Sequence, residues 1–597
     1  MLALFQHDRS STSAMILSGL VLVLLSACVA GAELDRRRYI GLDEVRTDMD
    51  AYCLTVLKGN DIEKFPLKIL SIVRNFRPNR DAILVVGTDE RFIHAGTIHG
   101  CSGSPVYIDG RMAGALAAGW DGSKDPLYLV TPIEDMLKIG TAAGRDGSGA
   151  KDVWRGIDFS QPIAFADIDQ QFHAIEQDCK LPVVTSLPQS VCKELAAQFA
   201  AMGMTPIATG NTAQADEAAE PVEYKPGGVL SIPLVSGDIS MAPTGTITEV
   251  VGNKVYAFGH NFTGIGPTDL PMGGGIVHAV IPGRMYAAKL TTPGAIKGAI
   301  RFDEATGVYG DIDAEAKTIG LRMSVDRYND PRQRVYNCRL AVDRLRTPMM
   351  LQSAIIAAIS MHGSLPPEHT LRYKGYVDIA GYGEIAFENI SSGRRYGEIA
   401  SEALSIAGLL LTNPYEQIEI KDLAFDIKIT PDNSRAVIRT VNISDSSVKP
   451  GETITASVLL QSYLSELSLE RIDITIPRDP APGGYEITIA GGYDYEKFIR
   501  KTASYKFMAY DAPTLVKTLG DLLSIKRDRL YIVMALPSAG VVIKRSELPH
   551  LPATKALLLS DEKRTIPTKK YEQWVANSMD VGLVVVGSQR IKITVEQ

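Results

Sequence analysis

The chain has 597 residues, of which 45% are hydrophobic and 22% charged, and its formal net charge is −7. This composition is that of an ordinary globular protein with room for three or four domains. The acidic balance and the scattered basic residues argue against nucleic acid as a partner. No CxxC pair and no His/Cys spacing indicates a metal site, and we expect no cofactor.

The N-terminal residues 1–32 predict an export signal. Residues Met15 to Ala27 form an apolar run after a polar start, of signal-peptide length and too short to span a bilayer. Leu25-Ser26-Ala27-Cys28 has the form of a bacterial lipobox, which would make Cys28 the lipidated N-terminus, whereas Ala30-Gly31-Ala32 offers an ordinary signal-peptidase site. Both alternatives stay open. We expect an exported protein of the periplasm or outer cell envelope, with or without a lipid anchor to the membrane.

The most informative motif is Gly100-Cys101-Ser102-Gly103-Ser104-Pro105, which lies in a predicted unit of residues 33–145, here called the serine half. Glycine on each side of Ser102 gives the backbone unusual freedom, so that the amides of Gly100 and Ser102 can converge on an oxyanion. Residues 105–108 and 111–115 predict two strands joined by a type I′ turn at Asp109-Gly110. A tight turn before a hairpin is the alternative interpretation of the motif.

Residues 146–228 predict a helical segment near Val191 to Met202 and then a polar linker. The run Gln214 to Glu220 is too acidic and too rich in small residues to pack. Cys179 and Cys192 are the pair close enough in sequence to close a loop in an oxidising compartment.

A serine hydroxyl needs a base, and the chain contains nine histidines. His260 stands out because an apolar strand, Val255 to Phe258, runs into Gly259-His260, so the imidazole lies at a rigid strand end. It belongs to residues 229–424, here called the histidine half, which also contain an apolar stretch, Met349 to Met361. That stretch is too short for a membrane span and predicts a buried helix.

The segment Phe258-Gly259-His260 and the serine motif together resemble the SpoIVB-type serine peptidase family, as do the segments Leu129 to Glu134 and Thr292 to Gly310. The resemblance implies a mainly β fold, a chymotrypsin-like double β-barrel, with Ser102 as nucleophile and His260 as general base. In the sporulation members of the family the histidine motif comes first, whereas here the serine motif does. Circular permutation would produce this order, and the geometry of such sites tolerates any chain order.

A third, orienting carboxylate is expected at Asp89, which lies upstream of the serine where the family has an aspartate. Asp269, close to His260 in sequence, is the alternative. Each aspartate also has a structural interpretation, because Asp before a turn commonly caps backbone amides. Cys101 stands where the family resemblance suggests methionine, a change that we expect to affect packing only.

Beyond the histidine half, residues 425–512 alternate apolar and polar residues with period two, which predicts an Ig-like β-sandwich. Residues 513–597 predict a small α+β domain with a helix at 514–523 and strands at 530–536 and 583–586.

The sequence thus predicts an exported serine endopeptidase that acts on protein or peptide substrates of the envelope. A non-catalytic envelope scaffold that keeps the barrel to bind peptides is the alternative, because a fold alone does not fix a function. The sequence leaves the oligomeric state open.

Overall fold

A computed structural model describes the chain over residues 34–120, 122–141, 157–159, 181–209, 223–283, 287–393, 396–464, 467–538, 540–549, 551–559 and 568–597. The predicted signal peptide with Cys28, together with Cys179 and the run Gln214 to Glu220, lies outside the described residues. Strands make up 51% and helices 17% of the structure, which confirms the mainly β fold class.

The first β-barrel is closed by six strands of the serine half. Its elements in chain order are β1 (Asp50–Val56), β2 (Ile62–Arg77), β3 (Arg80–Gly87), α1 (Glu90–Ala95), β4 (Ile98–His99), β5 (Pro105–Ile108), β6 (Arg111–Gly119), β7 (Leu127–Pro132) and α2 (Ile133–Met136). The strand order around the barrel is β1-β2-β3-β7-β6-β5, and β5 pairs back to β1. In β2, Phe65, Leu67 and Ile69 are buried and alternate with more exposed residues, as a strand with one core face requires.

The hairpin predicted after the serine motif is confirmed. Strands β5 and β6 pair antiparallel. Asp109 and Gly110 have φ angles of 49° and 76°, and two successive positive φ angles are those of a type I′ turn.

The second β-barrel lies in the histidine half. The next elements along the chain are β8 (Ile157–Asp158), β9 (Leu181–Thr185), α3 (Gln189–Glu194), α4 (Ala196–Ala201), β10 (Met204–Ala208), β11 (Val229–Ser231), β12 (Val235–Gly237), β13 (Met241–Val251), β14 (Lys254–Ala257), β15 (Gly266–Ile281), β16 (Ala287–Glu304) and β17 (Gly307–Ile312). Six of these strands follow one another in the order β11-β15-β16-β17-β14-β13, and β13 also pairs with β11, which closes the ring. The predicted double β-barrel is therefore confirmed.

A mixed sheet with two helices extends from the second barrel. It is formed by β18 (Thr318–Arg327), β19 (Arg334–Ala341), α5 (Thr347–Ser360), β20 (Thr370–Ile379), β21 (Gly383–Ser392), α6 (Gly397–Thr412) and β22 (Ile420–Thr430). The sheet continues from β13 through β12 into the order β19-β18-β22-β20-β21, and α5 and α6 pack against each other. Helix α5 is buried almost throughout, which confirms the buried helix predicted there. Among the described helices, none is long and apolar enough to cross a membrane.

The last part of the chain forms a β-sandwich with attached helices and short strands. Its elements are β23 (Arg435–Ile443), β24 (Ser447–Val448), β25 (Thr453–Ser462), β26 (Leu467–Thr475), β27 (Gly483–Gly491), α7 (Gly492–Thr502), a 3₁₀ turn (Ser504–Phe507), β28 (Met508–Ala509), α8 (Ala512–Leu523), β29 (Arg529–Leu536), β30 (Val541–Ile543), β31 (Ser546–Leu548), α9 (Ala553–Leu559), β32 (Thr568–Lys570), β33 (Gln573–Asp580), β34 (Val584–Val586) and β35 (Ser588–Val595). One sheet has the order β26-β25-β23-β34 and the other β24-β35-β27-β29-β33.

The strand pairing divides this region differently from the predicted boundaries. Strand β22, which contains residue 425, pairs with β18 and β20 of the preceding sheet. Strand β27 pairs with β29 and β35, so the predicted sandwich and the predicted C-terminal domain share one sheet. Period-two alternation predicts a strand and its buried face, but the partner strand is set by contacts distant in sequence.

Candidate active site

The serine motif forms a loop, residues 100–105, that connects β4 with β5 and is here called the nucleophile loop. Gly100 and Gly103 have φ angles of 96° and 95°, a region that side chains with a Cβ rarely adopt. A Cβ at Gly103 would overlap the carbonyl oxygen of Thr246 and lie 2.5 Å from the backbone nitrogen of Phe258. The loop therefore lies directly against strand β13 and the residue that follows β14, and only glycine allows that approach.

Backbone hydrogen bonds fix the shape of the nucleophile loop. The Gly103 amide donates to Leu116 O at 2.6 Å, the Ser104 amide to Cys101 O at 2.9 Å, and the Cys101 amide to Ile98 O at 3.2 Å. The two predicted oxyanion donors, the amides of Gly100 and Ser102, belong to this same loop.

The two serines of the loop have different surroundings. Ser104 is fully buried, and its hydroxyl donates to Cys101 O at 2.6 Å and lies 3.0 Å from the hydroxyl of Thr55. Ser102 is only partly buried. Ser104 therefore braces the loop, and Ser102 is the more accessible of the two serines.

Strand β13 of the second barrel also holds the nucleophile loop by hydrogen bonds. The Thr246 amide donates to Ser102 O at 2.8 Å, and its hydroxyl donates to Gly100 O at 2.9 Å. The Thr248 hydroxyl donates to Gly103 O at 2.8 Å. The conformation around Ser102 thus depends on the docking of the two barrels.

A buried lysine that sequence analysis missed lies beneath the loop. Lys289 of β16 is 2% exposed, and its Nζ donates to Thr55 Oγ1 at 2.7 Å and to Thr246 Oγ1 at 3.3 Å. Burial lowers the pKa of Lys289. These hydroxyls in turn contact Ser104 and Gly100, so Lys289 links the two barrels under the nucleophile loop. A lysine within a strand pattern predicts only a polar face, so the sequence carried no signal for this role.

The histidine motif begins a second loop, residues 258–264, here called the histidine loop. It follows β14, and Phe258 and Gly259 have φ angles of 71° and 70°. A Cβ at Gly259 would lie 3.0 Å from Ala115 Cβ and 3.1 Å from Leu116 O, the carbonyl that accepts the Gly103 amide. The two loops therefore meet at one point of the barrel junction.

The imidazole of His260 is 6% exposed and lies near the ring of Phe258. Nδ1 lies 2.8 Å from Asn261 O, and because a carbonyl only accepts, Nδ1 carries the proton and donates. Nε2 is buried and has no hydrogen-bond partner among the described residues. It is the basic nitrogen, the atom that a general base needs.

Burial lowers the pKa of His260 to about 4. The hydrogen bond to the Asn261 carbonyl raises this pKa and so offsets part of the effect of burial. Arg77 and His99 lower it further, since positive charge nearby disfavours a second one. His260 is therefore neutral at pH 7 and able to accept a proton.

A buried carboxylate that sequence analysis also missed holds the histidine loop. Asp303, at 1% exposure on β16, accepts the amides of Phe262 at 2.7 Å and Gly264 at 2.9 Å, and both the amide and the hydroxyl of Thr263. Burial raises the pKa of Asp303, while these hydrogen bonds oppose the rise. An acidic residue near a strand end is ordinary in sequence, so nothing in the pattern marked Asp303.

The two aspartates proposed as the orienting residue have other partners. Asp89 caps helix α1, accepting the Arg91 amide at 2.9 Å and pairing with Arg91 Nε at 3.1 Å. Asp269 pairs with Arg301 and accepts the Lys317 amide at 2.9 Å. Both engage backbone amides, as the structural interpretation expected. The role of Asp89 as a third catalytic residue stays a prediction.

The first barrel contains a segment that matches a known protein family. Residues 30–125 match the family model of SpoIVB peptidase S55. The matched span contains the strands of the first barrel through β6 and the whole nucleophile loop, which confirms the SpoIVB-type resemblance and supports a serine peptidase. His260 lies beyond it, so the match does not address the order of the motifs. Searches of the curated proteins and of the solved structures gave no match.

Within the described ranges, no group of three or more His, Cys, Asp or Glu side chains is placed to hold a metal ion. Four cysteines, Cys53, Cys101, Cys192 and Cys338, are buried free thiols. The loop closure predicted for Cys192 involves Cys179, which lies outside the described residues.

Proposed function

We propose that the chain is an exported serine endopeptidase that cleaves proteins of the cell envelope by acyl transfer through Ser102, with His260 as general base. The observation that carries the proposal is the contact between the nucleophile loop and the histidine loop at the junction of the two barrels. The family match over residues 30–125 supports the reaction class.

In the proposed reaction, Ser102 Oγ attacks the carbonyl carbon of the scissile bond while its proton passes to His260 Nε2. The carbonyl oxygen becomes an oxyanion, which the amides of Gly100 and Ser102 stabilise. The C–N bond then breaks, and the leaving amine takes the proton from Nε2. Water hydrolyses the acyl-enzyme by the same steps, which restores the Ser102 hydroxyl and releases a carboxylic acid.

The reaction requires Ser102 Oγ to come within about 2.6–3.2 Å of Nε2. Nε2 has no partner among the described residues, so the proposal includes an adjustment of the two loops when substrate binds. Catalytic hydrogen bonds often tighten only in the substrate complex. The Asn261 carbonyl supports the proposal because it holds the imidazole in the tautomer that leaves Nε2 basic.

A second candidate function is a non-catalytic scaffold that binds peptides at the barrel junction. The observation that favours it is the burial of His260, whose Nε2 has no hydrogen-bond partner among the residues that the structure describes. The two functions differ in whether Ser102 reacts.

A fluorophosphonate probe separates them. We expect the full-length protein to be labelled at Ser102, and we expect Ser102→Ala and His260→Ala each to abolish labelling and peptide cleavage. The double variant should be hardly worse than either, because the two residues act as a unit. Ser104→Ala is the matched control and should still be labelled. Absence of labelling in the folded protein would favour the scaffold, and labelling of Ser104 would overturn the assignment of roles.

The export part of the proposal rests on residues 1–32. Lipidation of Cys28 would hold the protein stably at a membrane, because two buried acyl chains contribute about 0.8 kcal/mol per methylene. Mass spectrometry of the mature N-terminus tests this. A diacylated Cys28 supports the anchor, whereas an unmodified N-terminus at Glu33 would leave an exported protein without one.

A further inference from the structure

A small cavity lies where the tip of the β2–β3 hairpin of the first barrel covers the histidine loop of the second. Its charged and titratable lining consists of Arg77, Arg80, Asp81, Asp135 and His260. Arg77 and Arg80 face each other across the turn of the hairpin. The cavity therefore joins residues of both barrels around the proposed catalytic base.

Two polar nitrogens in this lining lack a partner. Arg80 Nη1 and His260 Nε2 are both buried and form no hydrogen bond within the described part of the chain. Native proteins leave few buried polar atoms unpaired, and each such atom indicates a group that completes the site. Nε2 is an acceptor that the proposed reaction reserves for the Ser102 proton, whereas Arg80 Nη1 is a donor and indicates an acceptor group in this cavity.

The two carboxylates of the lining, Asp81 and Asp135, do not pair with Arg80. Asp81 pairs with Arg74 at 2.5 Å and accepts the Asn75 amide at 2.9 Å, and Asp135 pairs with Lys138 at 3.1 Å. The Arg80 guanidinium forms no ion pair with any described carboxylate. An anion that enters the cavity can therefore pair with the Arg80 guanidinium.

The size of the cavity limits that anion. Its volume is about 40 Å³, and a single water needs roughly 10–15 Å³ on the same measure. A group of a few heavy atoms fits, and a planar carboxylate is the anion that matches an arginine fork.

We propose that this cavity binds a carboxylate group of the peptide substrate through Arg80. The inference rests on the proposed peptidase function and names its substrate class, peptides that place an acidic side chain or a terminal carboxylate beside His260. The charge-assisted hydrogen bond from Arg80 Nη1 satisfies the unpaired donor.

A bound carboxylate also changes the catalytic base. The Nδ1 of His260 is held by a backbone carbonyl, and the charged groups that face the imidazole are Arg77, Arg80, Asp81 and Asp135, with His99 nearby. A negative charge added here favours the imidazolium and raises the pKa of His260 toward neutral pH, where a general base is most effective. Acidic substrates thus supply the charge that an orienting carboxylate supplies in a triad.

The test uses the full-length Ser102→Ala variant, so that it does not depend on turnover. Histidine labelled with ¹³C gives nine imidazole signals at most, and the loss of one in His260→Ala assigns it. Three probes are titrated: the α-amide of N-acetylglutamate carries a side-chain carboxylate, N-acetylalanine a terminal one, and N-acetylglutamine amide carries none. We expect at least one carboxylate probe to raise the His260 pKa by about one unit or more, and the glutamine probe to leave it unchanged.

Arginine variants complete the test. Arg80→Met should abolish the response, Arg80→Lys should weaken it, and Arg46→Met, a change at an exposed arginine of the same part of the chain, should leave it intact. A response to the side-chain probe alone assigns the cavity to acidic residues of the substrate, and a response to N-acetylalanine alone assigns it to a chain terminus. No response to either carboxylate, or an equal response to the glutamine probe or in Arg80→Met, would overturn the inference. Fluorophosphonate labelling of the wild type separately tests the peptidase function.

Discussion

Replacing Gly103 with alanine should separate the two barrels at the point where the nucleophile loop and the histidine loop meet. Gly103 has a φ of 95°, so any L side chain there costs about 1–2 kcal/mol in backbone strain. The added Cβ would also overlap Thr246 O and lie 2.5 Å from Phe258 N, whereas ordinary contacts begin at 3.4 Å. The backbone must therefore move by about 1 Å, which stretches the hydrogen bond from the Thr246 amide to Ser102 O.

Gly110→Ala is the matched control for backbone strain alone. Gly110 has a φ of 76° in the exposed hairpin turn, and a Cβ there meets nothing within 4 Å. We expect Gly110→Ala to destabilise the first barrel by about 1–2 kcal/mol and Gly103→Ala by roughly 2 kcal/mol more.

The assay follows opening of the first barrel under increasing urea by the reaction of its buried thiols, Cys53 and Cys101, with a thiol reagent, and peptide mapping identifies the labelled residue. The rate of fluorophosphonate labelling is measured alongside. Gly103→Ala should expose Cys101 at lower urea than Gly110→Ala and should lose labelling, while Gly110→Ala keeps it. Equal urea midpoints and equal labelling rates in the two variants would refute the tight contact between the barrels.

Four further predictions rest on the same geometry. The pKa of His260 is about 4 in the folded protein and about 6.5 in the unfolded chain. The kcat/KM for peptide cleavage should therefore fall only below about pH 5, where His260 becomes protonated. A fall near pH 6.5 would contradict the burial of His260. Because of the same shift, the unfolded chain takes up the proton at a higher pH than the folded chain does. The unfolding free energy of the barrels should therefore decrease by about 3 kcal/mol in total as the pH falls from 6.5 to 4. Denaturation curves of His260→Ala should lack this pH dependence. Asp303→Asn places an amide against several backbone donors and should lower the unfolding free energy by about 2–4 kcal/mol. Asp269→Asn, at a half-exposed ion pair, should lower it by about 1 kcal/mol or less. Equal effects of the two variants would contradict the role of Asp303 in holding the histidine loop. Ser104→Ala removes two buried hydrogen bonds and should lower the unfolding free energy by about 1–3 kcal/mol while fluorophosphonate labelling persists.

Local patterns in the sequence predicted the elements that depend on local chemistry. The Asp109-Gly110 turn, the buried helix at Met349 to Met361 and the helix at residues 514–523 follow from turn residues and hydrophobic periodicity, and the structure contains all three. The resemblance of the two motifs predicted the double barrel. These predictions needed no knowledge of which strands pair.

Features set by long-range contacts could not be predicted in this way. Strand β22 alternates apolar and polar residues as any half-buried strand does, and only its pairing with β18 and β20 removes it from the sandwich. Lys289 and Asp303 lie on one strand, and each gains its role from a loop that the fold brings beside it. A charged residue in a strand usually faces water, so the sequence pattern alone favoured the wrong environment for both.

The most direct test of the proposed mechanism is a crystal structure of the protein after reaction with a fluorophosphonate. The proposal predicts phosphorus bonded to Ser102 Oγ, the phosphoryl oxygen within about 2.7–3.1 Å of the Gly100 and Ser102 amides, and His260 Nε2 within hydrogen-bond reach of the adduct. An adduct on Ser104 or on any other residue would contradict it, as would a Ser102 adduct that leaves His260 buried and out of reach.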